Sequence, residues 1–502
     1  MSLRRTWTTW AMLLGASAGL WAQAPAAAVN PAAALFAQAR AAAAQLPANA
    51  EPVYLSLIAQ NEAQSLPHAA ADDAEAAFRQ ALALPAEAQK DRDAVLGPAL
   101  LVLGMANEND RALTLVRQTA PPPGMTKAGL YDKVALFQAP QMTPEQVQAI
   151  VDECQQADGS FPYGLVSLAA TMKKNVGPEA WSSLIGEGYA AAGRIQDLTT
   201  AMAASAFMGA GHRLAPARDP QLADSLVGLM QELSTLALAP EQKHESAALG
   251  HSALVLLEKI DPTRAEEMKA SLPVYATPPA SVPSIGGITV GQDASGKMDI
   301  HFPKYMSIMF SAARATDPEE PVQSAAALPS VQDRFRALEG VAGVLAKEHP
   351  KQAQEAADAA AAMIGKSISL NEAPPPASGG GLGARAATML GSNLEAASEL
   401  AGVLDKLGES DAAQSLAGRC LDAADQQAVT LDSEYTLDAL RQPGKPEELP
   451  DRMFTLGAVY TSIAKVAFKQ AASHAADLHS PAVRAMVLAS IAGGWKAEGA
   501  PK

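Results

Sequence analysis

The feature that most constrains this chain is a pattern of paired amphipathic stretches, each pair split by a short polar turn. Val331, Phe335, Leu338, Ala342 and Leu345 recur at spacings of three and four. A Lys-Glu-His-Pro turn follows, and Ala353, Ala357, Ala360 and Ile364 then form a second stripe of smaller residues. Leu390, Leu394, Ala397, Ala401 and Leu404 repeat the pattern, break at 408–411 and resume through Leu416, Cys420 and Ala424. A third pair runs through Met453, Leu456, Val459, Ile463 and Val466, then Val483, Val487 and Ile491. Such spacing places one apolar stripe on each helix. A lone pair cannot bury its stripe, whereas stacked neighbours can.

Helix starts are written in the same residues. Thr143-Pro144-Glu145-Gln146 is a capping box with proline at the first helical position. Asp219-Pro220 and Asp261-Pro262 repeat the cap-then-proline device, His349-Pro350 and Ser480-Pro481 are looser versions, and Ser410-Asp411 caps without proline. With these turns between paired helices, residues 50–270 and 305–495 resemble the α-solenoid class of helical-hairpin repeats, the tetratricopeptide and HEAT-like arrangement. The turns from Asp219 to Ala223 and from Asp261 to Ala265 look like those that close one repeat and open the next. The tetratricopeptide aromatic and glycine signature is missing and the period is irregular. The resemblance implies an all-α, irregular helical-hairpin array.

Composition agrees with that class. Aromatics are 5% of the chain and about a fifth is alanine, the strongest helix former. Hydrophobic residues at 48% and charged residues at 18% exclude wholesale disorder. Two stretches interrupt the helices. Residues 273–303 carry Pro273, Pro278, Pro279, Pro283 and Gly286-Gly287, then two short alternating runs, 288–290 and 298–302. They read as an extended linker ending in a small β-hairpin. Residues 371–385, with three prolines and three glycines in succession, read as a flexible surface loop. The expected division is a signal peptide at 1–24, an Ala/Pro-rich leader or first helix at 25–50, an N-terminal helical region at 51–272, the linker at 273–303 and a C-terminal helical region at 304–502. A continuous array interrupted by an insertion fits the same pattern.

Arg4 and Arg5 precede an apolar run from Ala11 to Trp21 and a small-x-small site at Ala22-Gln23-Ala24. That is a secretory signal, too short to span a bilayer. Export to a periplasmic or extracellular location is the expectation, with no membrane span after the signal is removed. Its loss moves the net charge from -15 to -17. A chain this acidic repels nucleic acid and anionic membranes, so partners should be neutral or basic, or should meet apolar grooves. Export permits a disulfide. Cys154 and Cys420 each lie on an apolar helical stripe, however, and are expected as buried free thiols.

No motif carries a catalytic, cofactor or metal assignment. Gly291 to Met298 fits the phosphate-loop spacing, but Met298 replaces the magnesium-binding hydroxyl and no helix follows. Gly15-Ala16-Ser17-Ala18-Gly19 matches a hydrolase elbow but lies inside the signal. Ser462 and Lys465 have the spacing of a serine–lysine pair without the strand that such enzymes need. His244 and His251 are seven apart, where a zinc pair wants four. His474 and His479 flank a turn, with only Asp477 evident as an acidic neighbour. Asp293, Ser295 and Asp299 lack the terminal glutamate of a calcium loop. Tyr131, Phe137, Phe161, Tyr163, Trp181 and Tyr189 read as the large members of a small-residue core. The expected function is therefore non-enzymatic binding of a protein or peptide partner by an exported helical-repeat protein. A hydrolase on an α/α scaffold and a structural envelope component are the alternatives.

Overall fold

In the computed structural model, residues 30–172, 176–193, 195, 197–277, 289–292, 298–371 and 392–495 are described. The expected signal peptide, residues 278–288 and 293–297 of the expected linker, and most of the expected loop at 371–385 fall outside them. Helix starts follow the local chemistry at several of the expected places. Thr143 accepts from Gln146 N while the Gln146 side chain accepts from Thr143 N, the two halves of a capping box. Asp261 accepts from Arg264 N at 3.1 Å. Two expected caps move. Asp219 lies inside its helix behind Arg218, and its carboxylate instead meets His212 Nδ1 at 2.9 Å. Glu409, not Ser410, occupies the cap position, directly after Gly408 at φ +90°. A left-handed glycine ends the preceding helix and leaves the next to begin at once.

The chain opens with α1 (Pro31–Ala43), α2 (Glu51–Glu62), α3 (Pro67–Leu82), α4 (Gln89–Met105) and α5 (Asn109–Gln118). It continues through α6 (Lys127–Gln138), α7 (Pro144–Ala157), α8 (Tyr163–Met172), α9 (Ser182–Ala192) and α10 (Leu198–Leu214). The first run ends with α11 (Asp219–Thr235), α12 (Pro240–Ile260) and α13 (Pro262–Ser271). The second run holds α14 (Lys304–Ala312), α15 (Glu319–Ala326), α16 (Val331–Leu345) and α17 (Pro350–Ala361). It closes with α18 (Asn393–Lys406), α19 (Ser410–Glu434), α20 (Lys445–His474) and α21 (Pro481–Gly493). Between the runs, Thr289–Gln292 pairs antiparallel with Met298–His301, Val290 opposite Ile300. These eight residues add no layer to the body, and the fold is all-α.

Packing follows a rule of two. Successive helices touch, and so do helices two apart: α2, α4, α6, α8, α10 and α12 form one such series, and α14, α16, α18 and α20 another. The stripes supply the contact. Phe335, Leu338, Ala342 and Leu345 are buried on α16, as are Ala353, Ala357 and Ala360 on α17, whereas Val331 at the helix start is exposed. Alanine lets helix axes approach closely, and the scarce aromatics fill the remaining volume. Trp181, Tyr131 and Tyr189 are among the largest fully buried side chains. Cys154 and Cys420 are buried, free thiols, and burial pushes both up to about 12.

The two series meet at the chain's ends. α1 packs along α21, α21 also packs on α2, and α20 reaches α4. Leu35, Phe36 and Ala39 of α1 and Val483, Val487 and Ile491 of α21 are all buried. Asn49 Nδ2 donates to Leu440 O at 3.1 Å, and Gly444 N donates to Asp91 Oδ2 at 3.2 Å across the same junction. The Ala/Pro-rich leader therefore contains a helix built into the body. In space the helices run from α14 through α20 and α21 to α1, α2 and on to α12. The first and last described helices, α1 and α21, therefore pack side by side.

Candidate functional site

Three helix starts converge on a cleft of about 540 Å³ lined by α6, α8, α9, α10 and the 158–161 turn. Each start brings an aspartate. Asp158 accepts from Lys127 N, the first residue of α6, at 2.7 Å, and from Ser160 N at 3.1 Å. Asp132 accepts from Leu165 N at 2.9 Å, in the first turn of α8. Asp197 caps α10 by accepting from Thr200 N and Thr200 Oγ1, both at 2.8 Å. A fourth acid, Glu187 on α9, is held by Gln148 Nε2 at 3.1 Å. Backbone amides at helix starts favour carboxylates there, so the local fold explains why these acids are ordered.

The same geometry leaves the cleft negative. Asp132, Asp158, Glu187 and Asp197 line it together with Thr126, Ser160, Thr199 and Thr200, and among the described residues no lysine, arginine or histidine joins them. The nearest buried cation faces away: Lys127 Nζ caps α5 through Val116 O at 2.8 Å, Arg117 O at 3.0 Å and Thr119 O at 3.1 Å. It also pairs with Glu153 at 3.1 Å. Amide dipoles offset part of the charge on the three aspartates, while Glu187 has only a neutral amide partner. Asp132 is half-buried, and burial raises it to about 6 against the pull of the Leu165 and Gly164 amides and the Lys133 charge. Its approach to α8 requires Gly164, where a Cβ would lie 3.0 Å from Asp132 Oδ1.

Beneath the acids lies an aromatic bed. Phe161 and Tyr163 both line the cleft and stand 5.0 Å apart, and Phe207 closes on them at 5.7 and 5.4 Å. Tyr189 meets Phe207 edge-on at 6.0 Å. This cluster keeps the three helix starts in fixed register, and its faces favour cations over anions.

The sequence motifs go elsewhere. Lys465 is exposed and its charge acts on Glu399, while Ser462 is half-buried beside the core residue Ile463. His251 Nδ1 meets Tyr275 O at 2.8 Å, and the His244 side chain lies outside the described residues, as do Asp293 and Ser295. His474 has an acidic partner the sequence did not reveal: Asp425 of α19 contacts its Nδ1 and accepts from Tyr460 at 2.7 Å. Among the described residues no group of three His, Cys, Asp or Glu is arranged to hold a metal ion, and no helix is long and apolar enough to cross a membrane. The cleft acids escaped the sequence reading, because Asp132 and Leu165 belong to different helices, while Phe161 and Tyr163 read as core alone. The one local signal was the Asp158-Gly159-Ser160 turn between two helices, followed later by Asp197 before Thr199-Thr200. In comparisons with known proteins, no family model matches the chain, no curated protein is similar to it, and no solved structure matches its fold.

Proposed function

We propose that this is an exported helical-repeat protein whose acidic cleft binds a basic segment of a protein or peptide partner. The observation that carries the reading is four carboxylates around an aromatic bed, with no cation among the described lining residues. A lysine or arginine side chain entering there would meet carboxylates whose other lone pairs are held by amides, so their positions are set before binding. The rule-of-two packing supports a solenoid, a form whose stacked hairpins suit extended polypeptide ligands. The hairpin in 273–303 belongs to the same reading as a link between the array's ends. Export rests on the Arg4-Arg5 and Ala11–Trp21 pattern.

One observation favours a second reading. Asp132 at about 6 is tuned for general acid–base work near neutral pH, as the hydrolase alternative requires. Incubation with arrays of basic, neutral and acidic peptides, read by both binding and mass spectrometry, separates the two. The binding reading predicts that basic peptides are retained intact. Cleaved peptides, with cleavage abolished in Asp132→Asn, would replace it with the hydrolase.

A further inference from the structure

A second cavity, of about 390 Å³, opens between the end of α3, the Ala86–Ala88 turn, the start of α4 and the segment that follows α5. Phe78, Leu82, Leu84, Leu115 and Pro122 give it apolar walls. Among them is Arg92, only 2% exposed. Its guanidinium donates to Pro123 O at 3.3 Å, and its Nε is buried with no partner among the described residues. The other arginine of the lining, Arg79, is differently placed: Glu75 holds it at 2.7 Å. Asp93 is near enough to feel the Arg92 charge but forms no ion pair with it.

A guanidinium buried with one long carbonyl contact is poorly compensated for the water it has lost. A carboxylate is the group that matches it, because two oxygens can meet the planar fork together. Apolar walls beside the charge select the rest of the ligand, and the volume falls in the usual range for small-molecule sites. We propose that the Arg92 pocket binds an amphiphilic monocarboxylate, with the carboxylate on Arg92 and the apolar tail against Phe78, Leu115 and Pro122. A medium-chain fatty acid and a peptide ending in a free apolar residue share this chemistry. The inference goes beyond the acidic cleft, which selects the opposite charge, and neither depends on the other.

The test is calorimetric titration of the full chain with octanoate and octanamide, and with acetyl-Ala-Ala-Leu as the free acid and as the amide. The expected result is one-to-one binding of at least one acid, with its amide at least tenfold weaker. Which acid binds identifies the source. Arg92→Met should weaken that acid at least tenfold, and Leu84→Trp, which narrows the cavity without touching the charge, should do the same. Should Arg92→Met fail to give a helical circular-dichroism spectrum, Arg92→Lys takes its place, with several-fold weaker binding expected from the lost fork. The proposal is overturned if neither acid outbinds its amide, or if the folded Arg92 variant binds as the wild type does.

Discussion

The acidic cleft and the Arg92 pocket solve opposite problems with charge. In the cleft every aspartate is met by backbone amides at a helix start, Asp132 by Leu165, Asp158 by Lys127 and Asp197 by Thr200. The Arg92 pocket instead buries a cation whose guanidinium has one carbonyl contact, Pro123 O at 3.3 Å. The fold thus accounts for the positions of the cleft acids, since removing one would uncap a helix. It gives no such account of Arg92. The difference teaches that order alone does not mark a site: the cleft qualifies by its unbalanced sign, the pocket by its unmet hydrogen-bonding capacity.

The largest effect that sharpens the contrast is on cleft affinity. Asp158→Asn, Asp197→Asn and Glu187→Gln together leave an amide oxygen to accept from Lys127 N and from Thr200 N, but remove three charges. At roughly 0.5–1 kcal/mol per partly exposed pair, affinity for a basic peptide should fall about tenfold to a hundredfold with the melting temperature little changed. A variant that unfolds would mean the charges themselves hold the helices together. Next in size is Arg92→Met without ligand. Replacing a poorly compensated buried charge by an apolar side chain should raise stability by about 1–3 kcal/mol, read as a higher urea midpoint. A loss of stability would show that the Arg92 charge is already balanced.

Asp132 comes third, with the sign fixed by its shift. Its folded value of about 6 exceeds the ordinary carboxylate value, so the folded state holds the proton more tightly. This carboxyl lowers stability as pH rises from the unfolded value through about 6 and adds no further change above it. Asp132→Asn should therefore be more stable than wild type at pH 7.5, by on the order of 1 kcal/mol, and equal to it near pH 4. Equal stability at both pH values would remove burial as the cause. The smallest effect is Gly164→Ala. The added Cβ presses on Asp132 Oδ1 at 3.0 Å. It should cost a few-fold in basic-peptide affinity while circular dichroism stays unchanged.

What was legible in the sequence was local. The capping box at Thr143 and Gln146, the cap at Asp261 and the stripes of α16 and α17 depend on residues within one or two turns, and those contacts form as read. Cap positions at Asp219 and Ser410 shifted by one residue, because the preceding segments supplied other helix starts. The junction of α1 with α21 was invisible, since nothing in an alanine-rich stripe specifies which other stripe it meets. Both cavities failed to show for the same reason. Arg92 stands in a polar run, Gln89-Lys90-Asp91-Arg92-Asp93, that reads as solvated helix surface, whereas in the fold it is buried and donates to Pro123 O of the segment that follows α5. Asp425 and His474 likewise meet across two helices.

The most direct test of the central claim is calorimetric titration of a Lys/Arg-rich peptide into wild type and into the Asp158→Asn/Asp197→Asn/Glu187→Gln variant, each at low and moderate salt. If the cleft carboxylates bind cations, binding to wild type weakens as salt rises and is largely lost in the variant, and a sequence-matched acidic peptide does not bind. Equal affinity in wild type and variant, or a preference for the acidic peptide, would contradict that claim.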